Sequence, residues 1–136
     1  MTDPRAPSPA LETIQTKLAN GALDEGGILI DELLVDFASD PNLAYLNALR
    51  YRLSGNAAKA LQTLSDLTTR FPDMARAHQE VAVNCLSINL PQKALEAAET
   101  AVALDGSLLA CWELLAPLQQ RFAPEKQEIT EQQIAR

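Results

Sequence analysis

Leu53-Ser54-Gly55-Asn56-Ala57-Ala58-Lys59-Ala60-Leu61, followed further on by Phe71-Pro72, reads as the end of one helix, a tight turn and the whole of a second helix. Gly55 supplies the left-handed backbone that reverses the chain, and Pro72 stops the second helix because it lacks the amide donor. A shift of 34 residues carries this reading along the chain. Gly21, Gly55 and Asn89 fall in one column, the turn within each hairpin. Five residues on stand Gly26, Ala60 and Ala94, small enough for a second helix to cross close over the first. Ala48 and Ala82, with Ile14 and Ala116, form the opposing column.

Larger core residues keep the same register. Ile30, Leu64 and Ala98 share a column, and Leu33, Leu67 and Ala101 follow three residues later, the spacing of one helical face. Breaks come at Ser39-Asp40-Pro41, Phe71-Pro72-Asp73 and Asp105-Gly106-Ser107. Helices are predicted near residues 9–19, 23–38, 42–53, 57–70, 75–88, 92–104 and 108–121, with 125–135 a candidate eighth. No stretch shows strand alternation. Short connections make neighbours antiparallel, and the expected fold is an all-α solenoid. Gly26-Gly27 weakens its helix by roughly 1 kcal/mol per glycine relative to alanine, which makes the first hairpin the least regular.

These columns resemble the tetratricopeptide repeat (TPR), with small residues on the first helix, glycine at the turn, alanine on the second helix and proline at its end. Trp112 stands in the first helix's usual tryptophan column, while His78 and Ala44 replace it elsewhere. The resemblance covers about residues 7 to 122. It implies an all-α, α-α superhelix of TPR-like helical hairpins, three to four repeats near 7–40, 41–74, 75–108 and a partial 109–136. A disordered tail is expected at 1–8, ahead of a single domain at 9–136. The last repeat departs from the pattern, with Pro117 in its first helix and Glu128 and Gln132 at apolar columns.

A finer resemblance rests on the run from Arg70 to Glu80 and on Ser107-Leu108-Leu109-Ala110-Cys111-Trp112. It looks like the amino-terminal repeats of bacterial proteins that join such repeats to a sulfotransferase domain. That implies a repeat portion that recruits substrate protein or dimerises, with catalytic residues beyond Arg136. The chain itself has no Gly-rich loop for a sulfonyl donor's phosphates.

Composition and charge narrow the partners. The chain has 136 residues, 47% apolar and 21% charged, which is ordinary for one globular domain. Net charge is −7, and residues 1 to 40 hold eight acids against Arg5 and Lys17, or −6. Such a surface repels phosphate backbones and anionic lipids, so nucleic acid and membrane are poor partners. The opening Met1-Thr2-Asp3-Pro4-Arg5-Ala6-Pro7 lacks a signal peptide's apolar stretch. Cys85 and Cys111 are too few for a disulfide framework, and a reducing cytoplasm is the expected compartment.

Catalysis is not expected within the chain, nor is a metal or cofactor. His78, the one histidine, lies in a core-facing column, with Glu80 on a different face and Cys85 two turns away. Cys85, Cys111 and His78 lack zinc-type spacing, and neither thiol has an electropositive setting. The acid pairs Asp24-Glu25 and Asp31-Glu32 are read as solvated helix surface.

A repeat stack does offer a groove lined by first helices, suited to an extended peptide or a partner helix. By the family resemblance, its columns fall on Asn42, Tyr45, Leu49, Arg52 and Leu53, then on Arg76, Gln79, Val83, Leu86 and Ser87. Tyr45, Arg52 and Arg76 are the candidate anchors, because tyrosine and arginine combine area with directional hydrogen bonds. Tyr45 reads equally well as cover for a neighbouring repeat. The family's chaperone-binding branch uses lysine and asparagine at columns that here hold Gln79 and Val83, or Tyr45 and Leu49, and is disfavoured. The expected partner is a protein or peptide. A homodimer through an open apolar face around Leu114, Leu115 and Leu118 is a further expectation.

Overall fold

The computed structural model describes residues 3 to 136. Its helices are α1 (Ser8–Ala19), α2 (Leu23–Asp36), α3 (Pro41–Leu53), α4 (Ala57–Arg70), α5 (Ala75–Ser87), α6 (Pro91–Leu104), α7 (Leu109–Phe122) and α8 (Gln127–Ala135). A 3₁₀ turn, Pro124–Lys126, precedes α8. Among the described residues there is no strand, and no helix is long and apolar enough to cross a membrane. The chain forms two compact units, one ending at Arg70 and one spanning Phe71–Arg136, where the sequence reading treats 9–136 as a single domain.

The 34-residue column of turns has one backbone solution. Gly21, Gly55 and Asn89 have φ of 82°, 82° and 61°. At each, two amides close the preceding helix in the Schellman pattern. Gly21 donates to the Leu18 carbonyl and Ala22 to Lys17, Gly55 to Arg52 and Asn56 to Tyr51, Asn89 to Leu86 and Leu90 to Cys85. Asparagine tolerates the left-handed conformation better than other side chains do, so Asn89 serves where the other two repeats use glycine.

In the first unit α1 packs on α2, both pack on α3, and α3 packs on α4. Ile14, Leu18, Ile30, Leu43 and Leu46 form its buried centre, each stabilising the fold by about 1.5–3 kcal/mol relative to exposure. Gly26 and Gly27 do not break α2. A Cβ on Gly26 would lie 2.9 Å from Leu18 Cδ2, and one on Gly27 would lie 2.8 Å from Arg50 Nε. The first glycine lets α1 approach, and the second makes room for the Arg50 guanidinium. Arg50 Nη1 and Nη2 donate to the two carboxylate oxygens of Asp31, at 2.8 and 3.3 Å.

Asp40 is buried and closes the N-terminus of α3. Its Oδ1 accepts from the Asn42 and Leu43 amides at 2.8 and 3.3 Å, and its Oδ2 accepts from the Ala6 amide at 2.6 Å. Ala6 is itself buried. The predicted tail at 1–8 thus includes a residue that docks by its backbone, while residues 1 and 2 lie outside the described residues.

In the second unit α5 packs on α6, α6 on α7 and α7 on α8. Ala77, Ala82, Ala94, Ala98 and Ala101 are fully buried, so these helices meet through small side chains. The tryptophan column performs one structural task here. Trp112 Nε1 donates to the Gly106 carbonyl at 2.9 Å, and His78 Nε2 makes the equivalent bond to the Pro72 carbonyl at 2.8 Å. A carbonyl only accepts, so His78 carries its proton on Nε2.

Two expectations need correction. Leu115 and Leu118 are buried and Leu114 is half-buried, so the apolar face expected for self-association around these three is largely covered within the chain. The α8 helix packs on α7, and the Thr130 hydroxyl donates to Gln119 Oε1 beneath it. Lys126 Nζ pairs with Glu99 at 2.8 Å and ties the preceding turn to α6. Glu80, read from the sequence as lying away from the core-facing column, is buried. It sits one turn before fully buried Asn84, whose Nδ2 donates to the Glu80 carbonyl at 2.8 Å.

Candidate functional site

The sequence-predicted groove residues occupy one face of α3 and one face of α5. Asn42, Tyr45, Leu49 and Arg52 follow the i, i+3, i+7, i+10 spacing that aligns side chains along a helix. Arg76, Gln79 and Val83 do the same on α5. The α3 set belongs to the first unit and the α5 set to the second.

On α3, Asn42 is exposed at the N-terminus. Tyr45 and Leu49 are half-buried and lean on the first unit's core, so Tyr45 combines cover for its own unit with a partly open surface. Arg52 is half-buried in the last turn, where a cation complements the helix dipole. Leu53 is exposed beside it.

On α5, Arg76 is exposed while Gln79 and Val83 are half-buried. The Arg76 charge bears on Asp105. The Ser107 hydroxyl and amide donate to Asp105 Oδ1 at 2.6 and 3.0 Å. These two bonds chiefly hold the Asp105 carboxyl below its ordinary range, and Arg76 adds to the effect. Leu86 and Ser87, at the far end of the same helix, are exposed.

The groups able to do chemistry are committed elsewhere. His78 is bound to the Pro72 carbonyl. Both cysteines are free and buried. Burial pushes the Cys111 thiol up to about 11. It also raises the Cys85 thiol, against the opposing charge of Lys93. Such thiols stay protonated near neutrality and are poor nucleophiles. Among the described residues, no three histidine, cysteine or acidic side chains are grouped to hold a metal ion.

Sequence reasoning missed Arg50. Its guanidinium lies over Gly27, bridges to Asp31, and sits 5.6 Å from the centre of the Tyr51 ring. The Gly26-Gly27 pair was the available signal, since a glycine inside a helix marks a close approach as well as a weakness.

No family model and no curated protein matches the chain. The sulfotransferase likeness therefore rests on its residue stretches alone. Solved structures do match. The chain is similar to MamA 41-end from Desulfovibrio magneticus RS-1, with a TM-score of 0.73 at 17% identity over 96% of this chain and 72% of that one. The MamA RS-1 ArsTM double mutant gives 0.72 at 16% identity over 93% and 70%. MamA AMB-1 gives 0.69 at 16% identity over 93% and 75%. At such identities the likeness is one of fold, and the fold is an all-α array of TPR-like helical hairpins.

Proposed function

We propose that the chain is a protein-interaction scaffold that binds a peptide or partner protein through first-helix faces, that of α3 in the first unit and that of α5 in the second. What supports this most directly is that the same side-chain spacing recurs on each face, taken within its own unit. Each carries an arginine beside half-buried side chains, Tyr45 and Leu49 with Arg52 on α3, Gln79 and Val83 with Arg76 on α5. Arginine and tyrosine seated on a rigid helix lose little entropy on binding and form common energetic anchors. Repeat arrays present such faces as extended binding surfaces.

The test is charge reversal. Arg52→Glu with Arg76→Glu should abolish capture of the partner in a pulldown and leave the melting temperature within a few degrees of wild type. Retention of the partner by the folded double variant rules the two faces out. The sulfotransferase reading, in which this segment is an accessory repeat domain, would need catalytic sequence encoded downstream of Arg136. A stop codon there removes it.

A further inference from the structure

We propose that the second unit carries a separate pocket for an acidic peptide segment, with Lys93 and Arg121 holding its carboxylates and Leu90, Pro91 and Phe122 seating its apolar side chains. The pocket has a volume of about 410 Å³ and is walled by the start of α6 and the end of α7. That volume lies within the range of small-ligand and peptide side-chain sites. This inference does not depend on the α3 and α5 faces.

Charge supports an acidic occupant. The chain holds 18 acidic against 11 basic side chains. Lys17, Arg50, Arg70 and Lys126 all have carboxylate partners. Among the described residues, Lys93 and Arg121 have none, although both line this pocket. Arg121 Cζ sits 4.8 Å from the centre of the Phe122 ring. That stacking orients a guanidinium without neutralising it. Two cations without carboxylate partners that line one pocket form a local positive site that an incoming carboxylate can satisfy.

Apolar surface supports a peptide over a free inorganic anion. Ile88 and Leu90, at the turn that leads into α6, are 42% and 37% exposed. Phe122 and Pro91 extend the apolar lining inside the pocket. A bare phosphate would use the two charges and leave this surface wet. A segment in which glutamates alternate with leucines would use both.

The experiment is fluorescence anisotropy on the full chain, with a fluorescein-labelled octapeptide of alternating glutamate and leucine as the probe. A glutamine–leucine octapeptide is the control. Wild type should bind the glutamate peptide at least about tenfold more tightly than the control, and Lys93→Glu with Arg121→Glu should erase that difference. Both side chains are exposed, so the variant is expected to keep the wild-type circular dichroism. Should it unfold, Lys93→Gln with Arg121→Gln must show the same loss. The Arg52→Glu, Arg76→Glu variant should bind the octapeptide as wild type does, which separates this pocket from the first-helix faces. Equal affinity for the two octapeptides, no binding of either, binding undiminished in the folded Lys93/Arg121 variant, or full displacement by millimolar inorganic phosphate would each overturn the proposal.

Discussion

Replacing Gly26 and Gly27 separately by alanine should have different effects on stability, although the two sites are adjacent on one helix. Each change removes an interior glycine from α2, and each gains about 1 kcal/mol from helix propensity alone. The contacts then decide the sign. At position 26 the new methyl meets Leu18 Cδ2 at 2.9 Å and Cγ at 3.4 Å. Leu18 is 2% exposed in the first unit's core and has little room to move. Overpacking of that kind costs about 1–3 kcal/mol, so Gly26→Ala should be neutral to about 2 kcal/mol destabilising. At position 27 the methyl meets the Arg50 guanidinium, the far end of a flexible side chain. Swinging it aside loses the bridge to Asp31, whose side chain is 62% exposed. An exposed bridge is worth at most about 1 kcal/mol, and Gly27→Ala should be neutral to about 1 kcal/mol stabilising.

The difference between the two variants cancels the shared propensity gain and reports the contacts alone. For a unit of this size, about 1 kcal/mol shifts the melting temperature by roughly 4–8 °C. Thermal melts followed by circular dichroism should therefore place Gly26→Ala several degrees below Gly27→Ala. Leu18→Ala in the Gly26→Ala background should cost less than Leu18→Ala alone, because the new methyl occupies vacated space. Equal melting temperatures for the two glycine variants, or Gly26→Ala the higher, would refute the close approach of α1 to α2.

Two further outcomes follow from the buried polar groups and thiols. Asp40→Ala should destabilise the first unit by about 1–3 kcal/mol, since it removes the α3 cap and leaves the Ala6 amide unpaired. Limited trypsinolysis should then cleave faster after Arg5, and an unchanged cleavage rate would show that Ala6 does not depend on Asp40. Cys111, with its thiol raised to about 11 in the folded chain from an ordinary value of 9.0, binds its proton more tightly when folded. Its contribution to stability is complete below about pH 9 and is lost as pH rises toward 11. The melting temperature should fall across that window in wild type and fall less in Cys111→Ala.

The helices and their pairing were legible in the sequence because both are local properties. Helical spacing of Ile30 with Leu33 and of Leu64 with Leu67 selects a face within one element, and the left-handed turns at 21, 55 and 89 need only the residue that occupies them. The predicted ends fall within a residue or two of the observed ones for most helices. Tertiary structure decided how side chains from different elements meet. Gly26 and Gly27 read as weak points until the crossing helices show what fills the space beside them. Leu115 and Leu118 read as an open face until α8 is in place. Glu80 and Asn84 carry no mark of burial in their residue types, and nothing in the spacing of Lys93 and Arg121 brings them to one pocket. Backbone conformation is set by neighbours in sequence, whereas burial and charge pairing are set by the angle and distance at which whole helices pack.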